Sequence, residues 1–419
     1  MERLALQGIR VVDLTQIWSG PFSTQLLADL GAEIIKIEPI YRLDPDRGMS
    51  WPAVGHTLPG DRPYNRSGSF NEHNRNKYAI TLDLKKPRGN DLFKQLITHA
   101  DVVIDNFSAG VMSRLGLGYE DLKAIRPDII VLSMPAFGNT GPEKGYIGYG
   151  PVQEELAGVT SITGYADGPP LETGFYYGDP SAGLQAASAI MVALWSRRRT
   201  GRGQFIDLSQ RETLVSFLGE MILDYQMNDR TWKPQGNRDT SMAPQGAYRC
   251  SGEDDWITIT CRDDADWQRL CQVMDRPELA SDPKYGDVVN RYRHHDELDA
   301  ILSAWTRGHD HLELTHRLQQ AGVPGAAVLN HKELLENEHF RARGYFETVT
   351  HPETGTHDYH GMTWKFSETP GRIRFSAPLL GEHNEMVLGK MLGVTDEELV
   401  ALERDEVITK EPKVPTPTD

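Results

Sequence analysis

A lone acid, Asp179, stands in the stretch FYYGDPSAGLQAASA (175–189), with a glycine before it and a proline and small residues behind it. Asp followed by Pro is a common helix start: the Asp caps the first turn and Pro suits the first helical position. The same carboxylate at a helix N-terminus can instead serve as a nucleophile or general base, with backbone N–H groups near Ser181 to Gly183 steadying negative charge. Pro180 cannot contribute to that, lacking the N–H. Gly178, Ser181, Ala182 and Gly183 would let a substrate come close. Local sequence leaves both readings open, and the rest of the chain offers few rivals. No GxGxxG follows the first strand, and neither GxxxxGK[ST] nor GxSxG occurs. Cys250, Cys261 and Cys271 form no disulfide framework or metal pattern. His294-His295 and His309-Asp310-His311 with His316 lack the i, i+4 spacing of a helical metal pair, so no metal site is predicted. Asp179 is left by elimination.

The elements that must position it alternate in type. Ile9–Leu14 reads as a strand, Gly20–Leu30 as a helix and Glu33–Ile37 as a second strand; an irregular insert from Tyr41 to about Asn76 follows. Strands are then expected at Tyr78–Leu82, Asp101–Ile104, Ile129–Ser133 and within FIDLS (205–209), with helices at Gly89–His99 and after Asp179. This alternation predicts a doubly wound parallel sheet, in which ligands bind at strand-to-helix turns such as TQIWSGP (15–21). The chain turns polar and Gly/Pro-rich around Met227–Gly246, a domain boundary, and 247–325 reads as a smaller α/β unit. A last helical stretch is expected over Asn384–Leu402, and the tail from Lys410 reads as disordered.

A net charge of −16 over 419 residues excludes broad nucleic-acid binding but not a local basic pocket for a phosphorylated ligand. Arg75, Lys77 and Arg114 are placed to serve one, although each taken singly also reads as ordinary surface charge. The RRRTGRG cluster (197–203) reads as a helix C-terminus. Few cysteines, no signal-peptide pattern and no apolar run long enough to span a bilayer predict a cytoplasmic protein.

In order along the chain, VVDLTQIWSGPFSTQLLADLGAEIIKIEP, NRNKYAITLDLKKPRG, DVVIDNFSAGVMSRLGLGYEDLKAIRPDIIVLSMPAFGNTGP, GDPSAG, RRRTGRGQFIDLS, AGVPGAAV and APLLGEH resemble the class III (CaiB/BaiF-type) CoA-transferases. The resemblance implies a Rossmann-like large α/β domain built from both chain ends (1–226 and 331–419), a small central α/β domain (227–330), and two copies interlocked as a ring-like dimer. It implies that Asp179 is the nucleophile and that CoA meets Gln16, Ile17, Trp18, Ser19, Lys77, Asn106, Phe107, Arg114 and Leu115; Arg75 joins them as a cofactor-binding candidate from its place before the strand, not from the resemblance. CoA and acyl-CoA would be substrates, with no permanently bound cofactor; succinyl-CoA would be the donor and an organic carboxylic acid the acceptor.

Two other members of the superfamily bound this reading. An α-methylacyl-CoA racemase uses a His where GYGPVQE (148–154) has Tyr149, a poor base at neutral pH. A heteromer with a homologous second subunit would make this chain the catalytic partner. The segment 234–250 lacks the glycine run with which formyl-CoA transferases close over the nucleophile. Met49, Trp51, Pro52, His56, Tyr64, Phe175, Tyr176 and Tyr177 either line a pocket for a bulky or aryl acid or fill the core or a dimer interface.

Overall fold

Short β-branched runs bounded by glycine, proline and acidic residues become the strands of a single sheet in the computed structural model, which describes residues 4–48 and 61–413. The strands are β1 (Arg10–Asp13), β2 (Glu33–Glu38), β3 (Lys77–Thr81), β4 (Val102–Asp105), β5 (Ile130–Ser133) and β6 (Phe205–Asp207). Their order is 3-2-1-4-5-6 and every pairing is parallel. The order reverses between β1 and β4, so the carboxyl ends of those two strands open the crevice where such sheets bind ligands.

Successive residues point to opposite faces, and both faces are covered. Val11, Ile34, Val102 and Ile130 pack with Leu26, Leu27, Ala182, Ala186 and Ile190 on one side. Val12, Ile35, Val103 and Val131 pack with Leu92, Phe93 and Leu96 on the other. That two-sided burial is why the strands read as continuous apolar runs. On the first face, helix α1 (Ser19–Asp29) packs along the long helix Gly178–Thr200. Their N-terminal turns touch because residue 183 is glycine: a Cβ there would stand 2.7 Å from the Ser19 carbonyl oxygen. The second face is covered by helix α2 (Pro87–Ile97) and by the end of the chain, whose Val387, Leu388, Leu402, Val407 and Ile408 join that core. Thr81 secures the return: its N–H donates to Asn384 Oδ1 (3.0 Å) and its hydroxyl to the Thr409 carbonyl (2.6 Å).

The chain divides into two compact units: Met1–Val159, Glu172–Arg230 and Arg341–Asp419 form one, and Thr160–Leu171 with Thr231–Phe340 the other. Residues 160–171 thus group with the central unit, which a reading of 1–226 as one stretch does not separate. The second unit is built on three antiparallel strands, β7 (Gln245–Arg249), β8 (Trp256–Thr260) and β9 (Gly325–Ala327). Its core gathers Ile257, Ile259, Trp267, Leu270, Leu298, Leu302, Leu314 and Leu318. All three cysteines are free and buried here, and burial raises their thiols above the ordinary range.

The single terminal helix expected over Asn384–Leu402 is two. Gly393, at φ 75°, ends a π-helical stretch Glu385–Met391, and Thr395 caps Asp396–Arg404 by accepting the Glu398 N–H (3.2 Å). Met49, Trp51, Pro52 and His56 lie outside the described residues, as does most of the tail. Tyr64 is buried and donates to Glu411 Oε2 (2.5 Å). Among the described residues no helix is long and apolar enough to cross a membrane.

Candidate active site

The turn after β1 is built from the buried charges beneath it. Asp13 accepts the Thr15 N–H (2.8 Å) and hydroxyl (2.5 Å), and Lys36 donates to the Thr15 carbonyl (2.7 Å) and to Asp44 Oδ2 (3.1 Å). Asp44 in turn accepts the Ile17 N–H through Oδ1 (2.9 Å). That bond holds a β-branched residue at φ 66°, a left-handed backbone conformation that such residues rarely adopt. Across the switch point, the Asn106 side chain clasps Gln16 at both ends, accepting its N–H (3.0 Å) and donating to its carbonyl (2.7 Å). The turn is fixed on both sides, and Ser19 at the head of α1 is aimed by it.

Asp179 meets Ser19. The long helix begins at Gly178 with Tyr177 in the capping position, and no side chain caps it. Asp179 therefore lies inside the first turn, and the capping reading fails. Its half-buried carboxylate instead lies beside Ser19, whose backbone N–H and hydroxyl act to lower its pKa. Burial pushes its pKa up to about 7, the Ser19 donors pull it back, and the carboxylates of Asp46 and Glu154 add to the rise. The Ser181 N–H expected to steady an oxyanion donates to the Tyr177 carbonyl (3.1 Å), and Ala182 and Gly183 lie further inside the helix. Glu154 fixes the approach to Asp179 by accepting from the Tyr177 N–H (2.8 Å) and the Thr173 hydroxyl (2.8 Å). Tyr176 between them stands at φ 52°, and Gly150 is required opposite it: a Cβ there would come within 2.7 Å of Tyr176 Cβ and 3.1 Å of Asp179 Oδ2.

Gln16, Ile17, Ser19, Asn106, Phe107 and Asp179 line one cavity of about 200 Å³. Trp18 is not among its lining residues; it stacks on His73 (5.6 Å) and stands edge-on to Phe175 (5.2 Å). Arg114 lines a neighbouring cavity of about 650 Å³; Ser108 and Lys144 line both. Leu115 packs against the core, and its carbonyl accepts from Asn90 (2.9 Å). Arg75 and Lys77 correct the expectation of phosphate contacts. Arg75 is buried against Asp29 (2.8 Å) and Glu72, and Lys77 is buried against Asp13 (3.3 Å), the Pro21 carbonyl (2.9 Å) and Asn74 (2.9 Å). Their charge is used inside the fold. Burial alone would raise Asp13, but Lys77, Lys36 and the hydroxyls of Thr15 and Thr24 bring its pKa below the usual value.

Two exposed cations that the sequence reading passed over do line the Asp179 cavity: Arg42 and Lys144. Each sits in a loop after the carboxyl end of a strand, β2 and β5 respectively, and the doubly wound pattern directs attention to such loops.

The family model for CoA-transferase family III matches residues 6–384. The succinyl-CoA–D-citramalate CoA-transferase of Chloroflexus aurantiacus is 36% identical over 413 residues, covering 96% of this chain and 98% of that one. The formyl-CoA:oxalate CoA-transferase of Streptomyces coelicolor is 33% identical over 97% of this chain and 100% of its own length. Among solved structures, a CaiB/BaiF family protein from Brucella suis superposes with a TM-score of 0.84 at 29% identity, covering 93% of this chain and all of that one. With a doubly wound sheet and an acid-bearing cavity at its switch point, the chain belongs to CoA-transferase family III.

Proposed function

We propose that this enzyme moves CoA from an acyl-CoA, succinyl-CoA in the first instance, to a dicarboxylic or hydroxydicarboxylic acid, with Asp179 as the nucleophile. The observation that carries the mechanism is the setting of Asp179: a carboxylate lining the cavity, not used as a cap, with the N–H and hydroxyl of Ser19 close enough to favour its charged form. The Asp179 carboxylate attacks the thioester carbonyl, forming an acyl-aspartyl anhydride and releasing CoA thiolate. The thiolate attacks the aspartyl carbonyl, the carboxylic acid leaves, and an aspartyl-CoA thioester remains. The acceptor carboxylate attacks that thioester, giving a second anhydride and thiolate, and thiolate attack on the acceptor's carbonyl releases the new acyl-CoA and restores Asp179. Each step exchanges one activated acyl group for another, so no ATP is consumed and one hard displacement becomes several easier ones. The tetrahedral oxyanions formed on the aspartyl carbon would be held by the Ser19 N–H and hydroxyl. Arg42, Lys144 and Arg114 are the exposed cations positioned for the CoA phosphates.

Support for the acid class comes from the relatives, which are named for D-citramalate, oxalate and L-malate. The L-malate enzyme is described as alpha and beta subunits, so a homologous partner stands beside a homodimer as an assembly for this chain. A chain-to-chain interface is favoured by the apolar surface of the helices Gly178–Thr200 and Gly219–Asn228: Val192, Trp195, Leu223 and Met227 are all more than half exposed. The aromatic run before Asp179 supports a wall beside the acyl group, since Phe175 contacts both Trp18 and Tyr177 (5.3 Å). Succinyl-CoA and a panel of mono- and dicarboxylic acids, followed by chromatography of the CoA esters, test the reading. Transfer to dicarboxylates is expected; hydrolysis alone, or α-proton exchange without transfer, would defeat it.

A further inference from the structure

The second unit holds a cluster that the transfer chemistry leaves unused. His311, the first residue of the helix His311–Gln320, is only 3% exposed. Its Nε2 lies 3.0 Å from Glu333 Oε1, while Glu333 Oε2 accepts the Asn330 N–H (2.9 Å) in a capping box. With Glu333 accepting a hydrogen bond from Nε2–H, a neutral ring carries its lone pair on Nδ1. That Nδ1 is buried with no hydrogen-bond partner. It faces Asp255 Oδ2 at 3.8 Å and Asp310 Oδ2 at 3.9 Å. Asp310 spends its other oxygen on the helix, accepting the N–H groups of Leu312 and Glu313 (2.9 Å each), so Oδ2 is left toward the ring.

A lone pair and two carboxylate oxygens gathered in this way repel one another. At 3.8 to 3.9 Å neither carboxylate makes an N–H···O bond to the ring, and a cation among the three would relieve the repulsion. Ligand bonds of about 2.0–2.2 Å at a tetrahedral centre put the donor atoms ~3.4 Å apart, close to the 3.8 and 3.9 Å that separate Nδ1 from the two carboxylate oxygens. A carboxylate on the far ring nitrogen is the usual support for a metal-bound histidine.

We propose that Asp255, Asp310 and His311 form a divalent transition-metal site, with Glu333 orienting the imidazole. The nitrogen and two oxygens suit zinc, with water completing the tetrahedron. The ligands come from the turn before β8 and from the start of the helix at His311, and Glu333 from a third element, the helix His331–Glu336, so the ion would cross-link this unit. Spacing rules miss it because positions 255, 310, 311 and 333 converge only in the fold.

Calorimetric titration of the chelator-treated full-length protein with zinc chloride tests this, with thermal unfolding as a second readout. The expected result is one site per chain with micromolar or tighter affinity and a zinc-dependent rise in Tm. Asp255→Asn, at a half-exposed position, should weaken binding at least tenfold, and Glu333→Gln by about ten- to a hundredfold. Absence of a saturable site, leaving only an ion-paired histidine, would overturn the proposal. So would unchanged affinity in both Asp255→Asn and His311→Gln, which would place the zinc elsewhere.

Discussion

Asp179→Asn separates chemistry from stability. The folded protein raises the Asp179 pKa from the ordinary 3.8 to about 7, so the native state binds that proton more tightly than the unfolded chain. The sign follows by linkage: the contribution is fully present below pH 3.8 and is lost as pH rises toward 7. At 1.36 kcal/mol per pKa unit the whole rise has a ceiling of about 4 kcal/mol. The carboxylate is partly open to the cavity, and solvent screening brings the expected figure to ~1–2 kcal/mol. Asparagine keeps the shape but has no proton to lose. The variant should therefore become more stable relative to wild type between pH 5 and pH 8, by about 1 kcal/mol, while CoA transfer collapses at both. Urea unfolding of both proteins at a fixed chain concentration measures it. Parallel pH dependence in the two proteins would refute the claim that burial strains this carboxylate, and retained transfer would refute its role.

The same pKa predicts that kcat/KM for the acyl-CoA rises with pH through about 7, since the attacking form is the carboxylate; a flat profile from pH 6 to 8 would contradict it. Replacing Arg42, Lys144 or Arg114 with Gln should raise KM for acyl-CoA about five- to tenfold with kcat much less affected, and should flatten its salt dependence. Lys77→Met should act differently: it strands the buried Asp13 carboxylate, costing ~3–5 kcal/mol and appearing as a fall in Tm, not as a selective KM change. Trp195→Glu or Leu223→Glu should break the proposed chain-to-chain contact, visible as a smaller species in sedimentation.

The sheet was legible because β1 to β5 are short β-branched runs buried on both faces, punctuated by Gly31 and Gly89. Asp179 was legible as a group but not in its setting, since helix starts are blurred by a residue or two and that shift decides whether the side chain caps or faces Ser19. Arg75 and Lys77 looked like surface charge or phosphate ligands because their partners, Asp29 and Asp13, lie dozens of residues away in sequence. Arg42 and Lys144 escaped notice for the converse reason: no motif marks them, and only the ends of β2 and β5 bring them to one cavity. The division of the terminal helix turned on Gly393, whose positive φ is a backbone property that the apolar pattern does not carry.

The central claim is a covalent intermediate on one named side chain. Wild-type protein incubated with succinyl-CoA without acceptor, quenched in acid, digested and analysed by mass spectrometry addresses it directly. A CoA thioester on the peptide carrying Asp179, converted to a hydroxamate by hydroxylamine and absent from Asp179→Asn, is the predicted result. No adduct, or an adduct on another residue that persists in the variant, would contradict the account.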